Sequence, residues 1–197
     1  MSTYKKNLEL LTKNNVYSKE MEHDACGVGL IASTEGKKSR EVVEYGIEAL
    51  KAVWHRGAVD ADGKTGDGAG IHLEIPKDFF VEKIEVTGHT HDGSDICVGM
   101  IFLPRNDYAA QESCKTIVES ELTKNDFSIY GWRQVPVNPK VLGEKAFQTM
   151  PEIIQVLFKA NDKNLLDKDL ERKIYETRKK IENKAFNLSL NNFYICS

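Results

Sequence analysis

Hydrophobic and polar positions alternate along this chain with two periods, and the switches between them mark its elements. Gly27 to Ser33 is a short apolar run that reads as a buried strand. Ser39 can cap a helix that has Glu41 in its first turn, and Val43, Ile47, Leu50 and Trp54 then recur at helical spacing up to a stop near Gly57. A glycine-dense loop follows. Residues 70–75 alternate apolar with polar until Pro76 stops them, which predicts a second strand. Residues 77–85 read as a short helix, and a polar turn from His89 to Asp95 leads into the apolar run Ile96 to Leu103, another buried strand. Asp107 then caps a helix in which Ala110, Cys114, Ile117, Val118 and Leu122 share one face.

The second half repeats this alternation. Phe127 to Val135 reads as a strand closed by Pro136 and Pro139, a helical piece covers about 144–148, and Ile153 to Phe158 is strand-like. The last helix, about 167–185, has Leu170, Ile174 and Ile181 on one stripe with charges elsewhere, the pattern of a solvated outer helix. Phe193 to Cys196 is a final strand-like run.

At 197 residues, 41% of them hydrophobic, the chain has enough apolar content to bury a core. Charge is nearly balanced, with 27 basic against 30 acidic residues and no segregated basic patch, so a small-molecule substrate fits better than a nucleic acid. Four cysteines, at 26, 97, 114 and 196, form no Cys-x-x-Cys pair and no dense framework. That argues against a zinc ribbon or a disulfide scaffold and makes a reducing cytoplasm the expected compartment. The first 25 residues lack the apolar core of a signal peptide, because Lys13, Asn14 and Asn15 interrupt the Leu8, Leu10, Leu11 cluster. No run approaches the ~18 apolar residues of a membrane span.

The stretch His55 to Gly70 invites several motif readings. Gly63-Lys64-Thr65 resembles the end of a phosphate-binding loop, but Ala58 stands where its first glycine belongs, and Asp60 and Asp62 would repel phosphate. A calcium loop starting at Asp60 fails at Lys64 and Thr65. Gly27-Val28-Gly29-Leu30-Ile31-Ala32 satisfies Gly-x-Gly-x-x-Ala, yet its glycines open a strand instead of following one. His89, His91, Asp92 and Asp95 lack further ligands at metal-site spacing and read as a solvated turn.

Cys26 stands at the boundary between a polar approach, Lys13 to Asp24, and an apolar run. Composition alone favours reading it as a small buried hydrophobe, as Cys97 and Cys114 are by their positions inside a strand and on an apolar helix face. Its glycine neighbours allow a ligand close to the backbone. Removal of residues 1–25 would also give Cys26 a free α-amine, with a reference pKa of about 7.7–8.0, able to act as base toward a thiol of about 8.5.

Asp24-Ala25-Cys26-Gly27-Val28-Gly29, together with the His55 to Gly70 stretch, resembles the N-terminal part of the glutamate synthase large-subunit family, and the resemblance extends over the whole chain to Asn192-Phe193-Tyr194-Ile195-Cys196-Ser197. The amidotransferase part of that family is a class II, N-terminal-nucleophile glutamine amidotransferase. The resemblance implies an α+β fold, a four-layer α-β-β-α sandwich incomplete at its C-terminal end, with residues 1–25 as a leader or propeptide and 26–197 as the N-terminal portion of the amidotransferase domain. It makes Cys26 the catalytic residue, hydrolysing glutamine to supply ammonia for glutamate formation from 2-oxoglutarate. FMN and an iron-sulfur cluster are implied for later domains, with no cofactor in this segment. The implied partners are later synthase domains of the same chain and, as a further candidate, a small reductase subunit.

The glycine-rich loop is expected to be structural, with no catalytic side chain. The family's substrate-binding arginine cannot be placed here, and its Asn-Gly pair for the oxyanion is missing, since no Asn-Gly dipeptide occurs in the chain. The chain therefore reads as an N-terminal fragment, inactive by itself. The alternative is a non-catalytic remnant that binds a partner through an unfinished sheet.

Overall fold

Four of the predicted apolar runs pair into one antiparallel sheet in the computed structural model, which describes residues 3–13, 27–53 and 59–196. The chain divides into two units, Met1–Ala58 with Asp67–Ile71, and Val59–Gly66 with His72–Ser197. Among the described residues no helix is long and apolar enough to cross a membrane.

The first unit holds α1 (Thr3–Lys13) and α2 (Arg40–Ala52). The start of α2 is set by Ser39, whose side-chain oxygen accepts the Val42 N–H at 3.3 Å, one of the donors that a helix N-terminus leaves unpaired. The predicted stripe is present, with Val43, Ile47 and Leu50 half-buried. The helix stops at Ala52, short of Gly57, and residues 54–58 lie outside the described residues. Two strand expectations fail. Residues 27–33 and 70–75 form no ladder, and Val28 and Leu30 stay 91% and 89% exposed. An apolar run records where side chains want to go, whereas a strand also needs a neighbour for its backbone groups, and the pattern of one segment carries no information about that neighbour.

The second unit contains α3 (Lys77–Val86), β1 (Cys97–Leu103), α4 (Tyr108–Lys124), β2 (Phe127–Gln134), α5 (Glu144–Thr149), β3 (Glu152–Ala160), α6 (Asp167–Asn187) and β4 (Tyr194–Cys196). Strand order is β2-β3-β1-β4, every pair antiparallel. In register, Ile101 of the central β1 faces Ile154 of β3 on one side and Ile195 of β4 on the other. Alternation along β1 buries Cys97, Gly99, Ile101 and Leu103 on one face and half-buries Val98, Met100 and Phe102 on the other.

The fully buried face carries the main core. There Ile101, Leu103, Phe127, Ile154, Val156 and Phe158 of the sheet meet Cys114, Val118 and Leu122 of α4 and Ile181 of α6. Asp107 caps α4 by accepting the Ala110 N–H at 2.9 Å, as its position in the sequence predicts. Both helices lie on this face because their apolar stripes match it, and the stripe of α6 adds Thr177 and Ala185 to the predicted positions. On the opposite face a smaller core joins Phe80 and Ile84 of α3 to Ile96, Tyr130 and Leu157. Beyond it this face is only half covered, and Phe102 and Tyr194 pack ring to ring at 5.7 Å.

One irregularity shapes β2. Between Ile129 and Gly131 the register with β3 shifts, a bulge in which Gly131 takes φ 152°. That conformation is open to glycine and strained for other residues. It also leaves room for Thr87, whose hydroxyl donates to the Tyr130 carbonyl oxygen at 2.9 Å and so ties the end of α3 to the sheet.

Candidate functional site

Cys26 lies outside the described residues, as do His55, Arg56 and Gly57. Its successor Gly27 is described and lies against Val53, the residue that ends α2, with the Val53 Cβ 3.4 Å from where a Gly27 side chain would begin.

The glycine-rich loop is ordered by its own carboxylates. Val59 and Gly66 form an isolated antiparallel bridge. Inside it the Asp60 N–H donates to the Thr65 carbonyl at 2.7 Å, and the Gly63 N–H to the Asp60 carbonyl at 2.9 Å, with Gly63 turning the chain at φ 70°. Asp62 accepts the N–H groups of Lys64 and Thr65 at 2.9 and 2.7 Å and the Thr65 hydroxyl at 2.5 Å. These bonds favour the charged form, and the Thr65 hydroxyl, then the two amides, hold the Asp62 carboxyl well below the usual carboxylate range.

This loop is clipped to α5, about eighty residues further along the chain. Lys145 Nζ donates to Asp60 Oδ2 at 2.7 Å. The Ala146 N–H approaches Thr65 Oγ1 at 3.4 Å, so Thr65 serves a first-turn amide of α5 that Gly143, at the cap position, has no side chain to satisfy. Gly143 is buried under the loop. Its φ of −71° suits any residue, but a Cβ there would fall 2.5 Å from the Thr65 amide nitrogen and against the side-chain oxygens of Thr65 and Asp62. Only space therefore demands glycine at this position. Gly143→Ala is expected to destabilise the second unit by about 1–3 kcal/mol, read from the urea midpoint, with the Lys64 and Thr65 amides exchanging faster. A wild-type midpoint with unchanged exchange would show that the loop is not seated on Gly143.

The histidine-rich turn resolves into separate contacts. His89 Nδ1 lies 3.1 Å from Thr87 Oγ1, while His91 Nε2 donates to the Ser94 carbonyl at 2.8 Å. Asp92 receives Lys159 at 2.7 Å, Lys163 at 3.2 Å and the Tyr130 hydroxyl at 3.2 Å. The Lys159 ammonium, followed by Ser94, holds its carboxyl well below the usual range. Among the described residues no three His, Cys, Asp or Glu side chains converge as metal ligands.

The three described cysteines are poor nucleophiles. Cys97 and Cys114 are buried and Cys196 is half-buried. Burial pushes the Cys97 thiol up to about 12, helped by the charges of Asp95 and Glu171. Burial also raises Cys114, with a contribution from Asp107, and raises Cys196 against the opposing charge of Arg178. The packing roles that the sequence predicts for Cys97 and Cys114 agree with this placement. Gly143 and Lys145 escape a reading of the sequence, where the only hint of them is a helix beginning on glycine with no capping side chain.

Residues 26–197, which include the whole of this α+β unit, match the family of glutamine amidotransferases class-II. The chain belongs to that family. It is 51% identical over 197 residues to the glutamate synthase [NADPH] large chain of Azospirillum brasilense, covering 100% of this chain and 13% of that protein. It is 38% identical over 193 residues to the ferredoxin-dependent glutamate synthase of Pyropia yezoensis, covering 95% of this chain and 12% of that protein. With the ferredoxin-dependent glutamate synthase 1, chloroplastic/mitochondrial, of Arabidopsis thaliana, identity is 42% over 162 residues, 82% of this chain and 10% of that protein. The chain thus spans about an eighth of the length of these relatives.

Proposed function

We propose that residues 26–197 are part of the glutaminase of a glutamate synthase, with Cys26 as N-terminal nucleophile once residues 1–25 are removed. The observation that carries this reading is the class-II match over residues 26–197, which begins at Cys26. The raised thiols of Cys97, Cys114 and Cys196 support it by leaving Cys26 as the remaining candidate.

In this mechanism the Cys26 thiol gives its proton to its own α-amine, and the sulfur attacks the side-chain amide carbon of glutamine. The C–N bond breaks as the amine passes the proton to the leaving nitrogen, and ammonia departs from a thioester. Water, deprotonated by the same amine, then adds to the thioester carbon. The C–S bond breaks, glutamate leaves, and the thiol is restored. Ammonia serves the formation of glutamate from 2-oxoglutarate in other domains, where FMN and an iron-sulfur cluster supply the redox chemistry.

The finer architecture is the four-layer α-β-β-α sandwich. Supporting it are the coverage of one sheet face by α4 and α6 and the half-buried apolar side chains of Met100, Phe102 and Ile153 on the other, a face suited to a second sheet. Glutamine is the substrate, later synthase domains and a small reductase subunit are the partners, and the cytoplasm is the compartment.

A glutamine-analogue alkylator tests the assignment on the product of the complete reading frame. Peptide mass spectrometry should find the label on Cys26 alone, at a new N-terminus lacking residues 1–25. Comparable labelling of Cys97, or active enzyme that retains the leader, would sink the reading, because a nitrogen inside a peptide bond cannot act as the base.

A further inference from the structure

Once residues 1–25 are removed, Cys26 is a chain end joined to the rest of the protein by one peptide bond, the one to Gly27. Consecutive Cα atoms lie ~3.8 Å apart, so whatever holds Gly27 limits where the nucleophile can be. A chain end frays unless something ties it down. The residues that follow offer little hold, since Val28 and Leu30 are almost fully exposed and, among the described residues, no atom lies within 4 Å of a side-chain position at Gly29. Gly27 is different. A side chain there would begin 3.4 Å from the Val53 Cβ, 3.5 Å from its Cγ2 and 3.8 Å from its Cγ1, so the backbone of Gly27 lies on the branched end of Val53. Both residues belong to the first unit, the one whose range includes Cys26.

Val53 is suited to be a fixed seat. It is half-buried at the C-cap of α2, where its N–H donates to the Lys51 carbonyl, and a β-branched side chain has little χ1 freedom. Within the same unit α2 is braced by Ile71, whose Cδ1 lies 3.1 Å from a side-chain position at Gly46. The contact also links the two stretches that carry the resemblance to the amidotransferases, because Gly27 lies in the first and Val53 stands two residues before His55, where the second begins.

We infer that Val53 is a positioning residue for glutamine hydrolysis, which by seating Gly27 aligns the sulfur of Cys26 with the amide carbon of bound glutamine. This rests on the glutaminase reading above. Val53 is assigned no contact with glutamine.

In the product of the complete reading frame, Val53→Ala should lower kcat with glutamine about 10-fold and leave KM within about 2-fold, since small misplacements of a reacting group are costly while substrate binding is untouched. Val53→Ile, which keeps the branch at Cβ, should stay within about 3-fold of wild type. Ammonia-dependent synthesis should not change in either. Iodoacetamide, too small to need the glutamine site, should alkylate Cys26 of Val53→Ala at the wild-type rate, whereas a glutamine-analogue alkylator should slow with kcat. If the alanine variant does not fold, Val53→Leu, which keeps the apolar bulk but moves the branch off Cβ, takes its place with a loss in the same direction. Wild-type kcat with glutamine, equal loss of the glutamine- and ammonia-dependent rates, or equal slowing of both alkylators would overturn the inference. Cys26→Ala, run alongside, separates the two readings. If it is inactive with glutamine while Val53→Ala is unaffected, the nucleophile stands and only the positioning role falls; if it keeps full glutamine activity, the glutaminase reading fails and takes this inference with it.

Discussion

Cys26→Ala is expected to lower glutamine-dependent glutamate formation by about 10³-fold or more while leaving ammonia-dependent formation intact. Removing a nucleophile from a covalent mechanism costs factors of this order, because the remaining groups can bind but cannot form the intermediate. No described cysteine can take over. Cys97 and Cys114 are buried in the core between sheet and helices, and Cys196 sits on β4 with its thiol raised. Steady-state rates with glutamine and with an ammonium salt, measured on the same preparation, decide the matter. Parallel loss of both would mean that Cys26 supports the structure and not the chemistry.

The second large effect concerns stability. Phe127→Ala should lower the unfolding free energy by about 3–5 kcal/mol, the range for an aromatic side chain lost from a packed core. Phe127 is 2% exposed at the start of β2, with its ring edge-on to Phe158 at 5.2 Å and the Lys173 ammonium 5.1 Å from its centroid. The turn before it depends on the same place, since Asp126 holds φ 62° with its carboxylate accepting from Asn161 at 3.0 Å. Domains are stable by about 5–15 kcal/mol, so this single change removes a large share. Urea unfolding followed by tryptophan fluorescence measures it, with Phe127→Leu losing much less. A shift below about 1 kcal/mol for the alanine variant would mean that this end of the sheet is loosely packed.

Elements in which hydrophobic pattern and capping residues agree are legible in the amino-acid sequence. The run 96–103 corresponds to the strand Cys97–Leu103, the helix predicted from Asp107 is Tyr108–Lys124 with that cap in place, and 153–158 lengthens to Glu152–Ala160. Strand order is not legible, because alternation defines a face and leaves the neighbour open. That limit also explains why 27–33 and 70–75 look like strands and form no ladder. The helix Thr3–Lys13 is hard to read for another reason, since its apolar cluster of Leu8, Leu10 and Leu11 is short and broken by lysine and asparagine directly after it. In the candidate site, the glycines and aspartates of the loop announce a turn, whereas its anchor stays hidden. Asp60 and Lys145 are 85 positions apart, and no local rule links a turn aspartate to a lysine on a distant short helix.

The strand order also sets a schedule for synthesis. The central strand β1 is made before both of its neighbours, with β3 starting at Glu152 and β4 at Tyr194. At typical elongation rates of about 5–20 residues per second, β1 waits roughly 2–10 s for its first ladder partner. Its sequence, Cys-Val-Gly-Met-Ile-Phe-Leu, carries no charge and no proline, a composition that self-associates readily when unpaired. The next element to emerge is α4, whose Cys114, Val118 and Leu122 belong to the same buried core as Ile101 and Leu103. An early docking of α4 would shield one face of the waiting strand, making this helix an internal guard against aggregation on the ribosome before it becomes one layer of the finished fold.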